Sequence, residues 1–237
     1  MGSGSVRCAL FLLVAAMAPH AAQATTISLV PATCPVGGER YERIQINSTS
    51  QFGIRLDLRP VGPIAYLPWD ECPNGFILTR KAEDYSPDDI DKLTPLVESA
   101  QFQSLRTSDM PAMRVVAEER ALGTSDAELA GYLMRAAWEA EDAQRQDLRL
   151  RYLAQATDAF AKYVAQSEKN SEPWWLAQIQ RADVLRQLGR HEESLRVLGS
   201  LPTPGEDLAI FAVYASQIRA AAMAADSQPR EFKPPSP

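Results

Sequence analysis

Polar and apolar residues alternate with a period of two along residues 41–46 and 54–59, which is typical of half-buried antiparallel strands. A short apolar run at 76–78 is the next strand candidate, and prolines and glycine punctuate the loop between 60 and 68. We therefore predict a small sheet of three or four strands within residues 25–82.

From Ser86 onward the apolar spacing changes to that of helices, and hydroxyl side chains stand before prolines and acids as helix caps do. The predicted boundaries are starts at Ser86-Pro87 and Thr94-Pro95, a start at Ser108 or Asp109, a stop at Gly123, a start at 124–126 and a closing helix over 208–223.

Apolar residues recur at helical spacing through most of the remaining chain, to about residue 225. The three clearest sets are Leu129, Tyr132, Leu133, Ala136 and Ala137, then Leu153, Ala156, Phe160, Tyr163 and Val164, then Leu176, Ile179, Ala182, Leu185 and Leu188. The predicted fold is mainly α, with a small N-terminal β subdomain and a series of helix hairpins, or α+β overall.

The segment from Leu188 to Leu195 resembles the turn of a tetratricopeptide repeat, in which a glycine and then a Glu-Glu-small-Leu run join two helices. Ala182 and Ser194 match the small residues at which the helices of that family approach closely. Residues 135–138 and 181–184 begin with the same Arg-Ala pair and indicate an earlier, longer repeat. An irregular helical bundle is the alternative.

The N-terminus has the pattern of a secretory signal peptide. Arg7 precedes a short apolar run, and small residues end at Ala24, so cleavage is predicted before Thr25. A retained membrane anchor is the alternative, although the run is short for a span. The predicted location is periplasmic or secreted, without a stable membrane span once the leader is removed.

Removing Arg7 with the leader leaves 23 basic against 30 acidic side chains, a net charge of −7. An acidic chain lacks the electrostatic footprint of a nucleic-acid or anionic-membrane binder, so those partners are excluded.

The mature chain keeps two cysteines, Cys34 and Cys72. An even count in an oxidising compartment favours a disulfide, and two buried free thiols are the alternative. Each cysteine begins a Cys-Pro-x turn that leads to glycine, the outline of a zinc-ribbon knuckle. A ribbon site needs four ligands and only two thiolates remain, so no metal is predicted.

These knuckles and helices together resemble an uncharacterised bacterial family in which paired Cys-Pro-x-Cys-Gly turns precede tetratricopeptide-like repeats. The resemblance extends from about Cys34 to Leu201 and includes the Leu-Asp-Leu-Arg-Pro segment at 56–60. Gly37 replaces the second thiolate of the first knuckle, and the second knuckle is degenerate at Gly75. The resemblance implies that the remaining pair forms a disulfide in place of the metal.

No catalytic constellation is recognised. His191 is the only histidine of the mature chain and lies in a charged turn, and no phosphate-binding glycine motif is present. No cofactor is predicted. The predicted function is an interaction module or scaffold for a protein or peptide partner, with a thiol-dependent redox accessory or enzyme using Cys34 or Cys72 as the alternative.

Candidate contact residues for the partner combine aromatic and cationic side chains within the repeat, namely Trp174, Trp175, Arg181 and Arg190. For the tryptophans, packing between helices is the competing interpretation.

The predicted division of the chain is a signal peptide at 1–24, a β subdomain at 25–85, a helical domain at 86–225 and a disordered, proline-rich tail at 226–237.

Overall fold

The computed structural model describes residues 26–234, so the predicted signal peptide lies outside the described residues. The strands are β1 Thr26–Thr33, β2 Arg40–Ser48, β3 Gly53–Ile54, β4 Pro60–Val61, β5 Asp70–Glu71 and β6 Ile77–Leu78. The helices are α1 Pro87–Glu98, α2 Ala100–Ser108, α3 Ala112–Leu122, α4 Asp126–Asp142, α5 Gln146–Gln166, α6 Glu172–Gln187, α7 His191–Gly199 and α8 Ala209–Met223. The mainly helical fold with a small β region is confirmed. Within 26–234, no helix combines the length and the hydrophobicity that a bilayer crossing requires.

The strands form three separate antiparallel pairs, β1 with β2, β3 with β4 and β5 with β6, so the prediction of one sheet was wrong. The strand predicted at 41–46 lies inside β2, and β6 agrees with the prediction at 76–78. The strand predicted at 54–59 ends at Ile54, and the chain then turns, with Leu58 at a φ of +64° and the amide of Arg55 donating to the carbonyl of Arg59 at 2.9 Å. Leu56 is buried and Leu58 is partly buried against the same core, so this turn shows the two-residue spacing that a strand would show.

The first predicted helix start is correct. The Ser86 hydroxyl accepts from the amide of Asp89, and the Asp89 carboxylate accepts from the amide of Ser86, which is a complete capping box. The start predicted at Thr94-Pro95 was wrong, because Pro95 lies inside α1. The next helix begins instead after Ser99, whose hydroxyl accepts from the amide of Phe102.

The stop at Gly123 is correct, with a left-handed φ of +81°, and Ser125 caps α4 as predicted. Neither Ser108 nor Asp109 caps α3. Ser108 ends α2, and the Asp109 carboxylate instead accepts from the Tyr152 hydroxyl at 2.9 Å, while α3 begins after Pro111.

Helices α4 and α5 form one hairpin, and α6 and α7 form a second hairpin with the same kind of turn. The turns place Gln144 and Gly189 at φ values of +57° and +75°, each followed by an arginine. The amide of Arg145 donates to the carbonyl of Ala140 at 2.8 Å, and the amide of Arg190 donates to that of Leu185 at 2.9 Å. Arg135 lies nine residues before Gln144, whereas Arg181 lies eight residues before Gly189, so the two Arg-Ala pairs are one position out of register when the turns are matched.

Three groups of buried residues fill the interior. The first lies among α3 to α6, the second joins α6 to α8, and the third surrounds the two cysteines. The predicted boundary at 85/86 does not separate these cores. Leu56 belongs to the second core, and Leu93, Val97 and Phe102 of α1 and α2 belong to the cysteine core.

The tail at 226–234 is ordered, so the prediction of disorder was wrong for these residues. Phe232 stacks on Tyr214 of α8 with ring centroids 4.0 Å apart. The amide of Phe232 donates to the carbonyl of Ile54 at 2.9 Å. The partners that hold this segment in place, Tyr214 and Ile54, are distant from it in sequence. The composition of the segment itself therefore could not indicate them.

Candidate interaction site

The hairpin formed by β3, β4 and the turn between them inserts into the helical part. We name this segment, residues 53–61, the Leu56 loop. Asp57 is 2% exposed there. Its carboxylate accepts from Trp138 Nε1 of α4 at 3.2 Å and from Gln187 Nε2 of α6 at 3.3 Å. It also accepts from Arg55 Nη2 at 2.6 Å. One buried carboxylate therefore connects the loop to the first helices of both hairpins.

Charged side chains of both signs surround Asp57. Arg55 Nη1 donates to Glu141 Oε1 at 2.6 Å. Arg59 donates to the same Glu141 oxygen at 3.1 Å and to Asp142 Oδ1 at 2.7 Å. The loop arginines thus bind the carboxylates at the end of α4, which fixes the loop in one position. Buried charges are tolerated in proteins when they are paired in this way.

A second buried pair lies deeper, on α6. Asp183 and Arg186 are 1% and 0% exposed, and Arg186 Nε donates to Asp183 Oδ1 at 2.8 Å. Burial raises the pKa of the Asp183 carboxyl, against the opposing effect of the Arg186 charge. Arg186 Nη1 also donates to the carbonyls of Asp226 and Gln228, both at 2.8 Å. The buried arginine thereby fixes the start of the tail.

The rest of the tail is held mainly through its backbone. The amide of Leu56 donates to the carbonyl of Arg230 at 2.8 Å, in addition to the bond from Phe232 to Ile54. Gln217 of α8 forms two bonds with Lys233, since its Nε2 donates to the carbonyl at 2.6 Å and its Oε1 accepts from the amide at 3.0 Å. We name this place, between the Leu56 loop and α8, the tail groove.

The four residues predicted to contact a partner differ in their exposure. Trp174 and Trp175 are 5% and 2% exposed, and Trp175 stacks on Phe211 with centroids 6.2 Å apart. Both tryptophans are therefore packing residues of the second core, which corrects their assignment as contact residues for a partner. They begin a helix that is buried on nearly every side, so their exposure was overestimated.

The two predicted arginines lie nearer the surface. Arg181 is half-buried and lines a shallow pocket of about 300 Å³ between α6 and α7. Arg190 is exposed, and its Nε donates to Glu193 Oε1 at 2.6 Å. Glu193 lines the same pocket as Arg181, so the two arginines lie near one acidic side chain.

A second exposed feature is the ribbon, residues 26–48, formed by β1 and β2. Ile27 pairs with Ile46 and Leu29 pairs with Ile44, so four aliphatic side chains share one face. Ile27, Leu29 and Ile44 are 61%, 61% and 53% exposed. In the described part of the chain, β1 packs mainly against β2, and β2 packs against β1 and β5. We name this face the aliphatic row.

The base of the ribbon is fixed to the body. The Tyr41 hydroxyl donates to Asp70 Oδ1 at 2.6 Å, and burial raises the pKa of Tyr41. Cys34, which follows β1, forms a disulfide with Cys72, with the Cα atoms 5.8 Å apart. The two cysteines are 2% and 1% exposed. Since both sulfurs are bonded and buried, this state offers no thiolate to a metal or a substrate.

Within residues 26–234, no group of three or more histidine, cysteine or acidic side chains is placed to hold a metal ion. His191 begins α7, and its Nε2 lies 3.3 Å from the Ser227 hydroxyl of the tail. The histidine that the sequence places in a charged turn therefore contacts the tail.

The residues that build the tail groove were not among the predicted site residues. Asp57 lies in the segment at 56–60 that carried the family resemblance, which was the one signal that pointed to it, and Arg55 immediately precedes that segment. Arg186 and Gln217 occupy ordinary helical positions, and only their long-range partners distinguish them. Comparison of the chain with protein-family models, with curated proteins and with solved structures found no match.

Proposed function

We propose that this chain is an exported protein, periplasmic or secreted, that binds a protein or peptide partner as an interaction module or scaffold and catalyses no reaction of its own. Its Cys34–Cys72 bond is structural in this proposal. The tetratricopeptide-like arrangement and the resemblance to the bacterial family are part of the same proposal.

The observation that carries the proposal is the aliphatic row of the ribbon. Three large aliphatic side chains are more than half exposed, side by side, on an element that extends from the body. Exposed apolar surface of this kind is unfavourable in water and marks contact sites when it is contiguous. Because the base of the ribbon is fixed by the disulfide and by Tyr41, the row is presented in a defined orientation, which lowers the entropic cost of binding.

The alternative function, a thiol-dependent enzyme or redox accessory, has less support. A reactive cysteine is a partly exposed thiolate in an electropositive environment. Cys34 and Cys72 are both buried and joined to each other.

The test compares two adjacent ribbon positions that point to opposite faces. A photo-crosslinking amino acid is placed at Ile44, in the aliphatic row, or at Gln45, which is exposed on the other face. The chain is expressed with its own leader in the cells that produce it, and the periplasmic and external fractions are irradiated. We expect a discrete crosslinked product from position 44 and none from position 45.

Intact mass of the exported chain accompanies this test. A chain that begins at Thr25 and is alkylated only after reduction is the expected form. The same product from both positions, or none from position 44, would contradict a role for the ribbon in binding.

A further inference from the structure

We propose that the tail groove is a second binding site, which accepts an extended peptide segment of another protein that carries an aromatic side chain. In the described structure the chain's own tail occupies this site. The inference deepens the proposed function, on which it rests for the class of partner, and it assigns a place and a mode of recognition that the aliphatic row does not supply.

The first argument is that the groove contacts the backbone of its occupant. The tail donates and accepts hydrogen bonds through the amides and carbonyls of Arg230, Phe232 and Lys233. The side chains of Arg230, Glu231 and Lys233 are exposed. Backbone bonds of this kind are independent of side-chain identity, as they are when a peptide adds to a strand edge. The groove therefore restricts the backbone conformation of the bound segment, and it restricts the amino-acid sequence of that segment less.

The second argument concerns the one side chain that the groove does select. Phe232 lies flat on Tyr214, with 7° between the ring planes, and packs against the second core. Tyr214 is 8% exposed with the tail seated, and it belongs to the second core together with Phe211 and Ile218 of the same helix. An aromatic ring of the core beside a set of backbone donors and acceptors defines a ligand with an aromatic residue in an extended segment.

The third argument is that the tail is suited to exchange. Apart from the half-buried Pro229 and Phe232, the segment from 228 to 234 buries no apolar side chain. Segments with few buried apolar contacts and with exposed backbone hydrogen bonds open at low free energy. Because the tail is tethered, its effective concentration at the groove is high, so a free peptide competes poorly unless the tail is weakened.

The anchors on the protein side remain when the tail leaves. Arg186 and Asp183 are buried and paired with each other, and Gln217 is part of a regular helix. The carbonyl of Ile54 and the amide of Leu56 are held by the Leu56 loop, whose arginines bind Glu141. The site is therefore preorganised for a strand supplied by another molecule.

The experiment measures binding of a fluorescein-labelled heptapeptide with the sequence of residues 228–234, Gln-Pro-Arg-Glu-Phe-Lys-Pro, by fluorescence anisotropy. The full chain is used in four forms: the natural sequence, Phe232→Ala, Phe232→Ala with Gln217→Ala, and Phe232→Ala with Ser216→Ala. Ser216 is the matched control, since it is exposed on α8 and its hydroxyl donates only within the helix, to the carbonyl of Val213 at 2.8 Å. Far-UV circular dichroism checks that each variant is folded.

We expect Phe232→Ala to bind the peptide at least tenfold more tightly than the natural sequence, because its own tail has lost the aromatic contact. Adding Gln217→Ala should weaken that binding at least fivefold, whereas adding Ser216→Ala should leave it unchanged. A peptide with alanine in place of phenylalanine should bind at least tenfold more weakly to the Phe232→Ala chain.

Equal binding to the natural and Phe232→Ala chains, binding insensitive to the phenylalanine of the peptide, or no binding to a folded Phe232→Ala chain would overturn the inference. Dimer formation by the natural chain through exchange of tails, read by light scattering, would also overturn it, because the occupant would then be a second copy. None of these outcomes affects crosslinking at position 44, so failure here is distinguishable from failure of the proposed function.

Discussion

Glu118 of α3 is a buried carboxyl whose two oxygens have different surroundings. It is 2% exposed, and its Oε1 accepts from the amide of Ile77 at 3.0 Å. Its Oε2 has no hydrogen-bond partner in the described structure. Burial raises the pKa of Glu118 to about 8, with the Ile77 amide and the Arg114 charge acting in the opposite direction. The folded chain therefore favours a neutral Glu118 at pH 7.

This carboxyl makes stability depend on pH in a defined direction. The unfolded chain releases the proton near the ordinary glutamate pKa of 4.5, whereas the folded chain keeps it until about pH 8. Since the folded state binds more protons in this window, the free energy of unfolding falls as pH rises from about 4.5 to 8. We expect Glu118→Gln, which mimics the neutral form, to gain stability relative to the natural chain across this window and to level off above it. Urea unfolding at pH 5, 7 and 9 measures the difference.

Glu98→Gln is the control for this prediction, because Glu98 is exposed at the end of α1. It should shift all three measurements by a similar, small amount. A Glu118→Gln chain whose advantage does not increase between pH 5 and pH 9 would show that Glu118 is ionised in the folded state.

At the scale of single residues, the sequence predicted some of the helix ends, although the starts expected at Thr94 and at Ser108 or Asp109 were wrong. The caps at Ser86 and Ser125 and the stop at Gly123 depend on neighbours within one helical turn, and all three are correct. Glu118 and Arg186 depend on partners from other elements. Their burial could not be predicted, because their side chains are usually exposed and nothing in their local pattern marks an exception.

The turns of the two hairpins determine how the helical elements are joined. Gly189 has a φ of +75°, and a side chain there would meet only Ser227 Oγ, at 3.8 Å. A side chain at position 189 is therefore disfavoured by the positive φ and not by lack of space. Gln144 performs the same role in the first turn with an ordinary side chain, which indicates that the conformation is tolerated there at some cost.

We expect Gly189→Val to lower the free energy of unfolding by roughly 1–3 kcal/mol, because a β-branched residue is strained at positive φ. Gly131→Ala is the matched control. Gly131 lies within α4, and a Cβ added there meets nothing within 4 Å. The alanine should raise stability by roughly 0.5–1 kcal/mol through helix propensity. Thermal and urea unfolding compare the two variants, and an unchanged Gly189→Val chain would contradict the assigned backbone conformation.

Whole elements were predicted correctly where apolar residues recur along one face of a long helix. Helices α4, α5 and α6 were predicted from apolar spacing, whereas the step from α6 to α7 was predicted from its resemblance to the turn of a tetratricopeptide repeat. The short β elements were predicted less well. Residues 54–59 alternate like a strand, but Arg55 and Asp57 are directed into a buried charge cluster, and the pairing of β3 stops at Ile54. A period of two cannot distinguish a half-buried strand from a turn whose charged residues are buried in such a cluster.

On the scale of the whole molecule, the disulfide joins the ribbon to the core that includes α1 and α2. Closing a loop of 38 residues by sequence separation stabilises the folded chain by roughly 4 kcal/mol in the chain-entropy model. The other two cores contain no cysteine. The effect of removing the bond should therefore be concentrated in one part of the molecule.

We expect the Cys34→Ser, Cys72→Ser double variant to lose roughly 4 kcal/mol of stability while keeping most of its helical signal, because α4 to α8 pack in the other cores. Far-UV circular dichroism and urea unfolding measure both effects, and hydrogen exchange should show the greatest loss of protection in the ribbon, α1 and α2. Reductant should lower the stability of the natural chain and leave the double variant unchanged. Complete loss of the helical signal would show that the cysteine core is needed for the helices to fold.

The pairing of the tail with Ile54 and Leu56 also has a consequence for the order in which the fold is completed. A ribosome makes the chain from its N-terminal end, so both cysteines, the ribbon and the Leu56 loop exist long before residues 226–234. Until those residues emerge, the amide of Leu56 and the buried Arg186 lack the carbonyls that they bind in the finished fold. Residues 226–234 therefore complete a site whose other parts, from Ile54 and Leu56 to Gln217 of α8, all precede them in the chain, so the groove is filled only after α8 has been made.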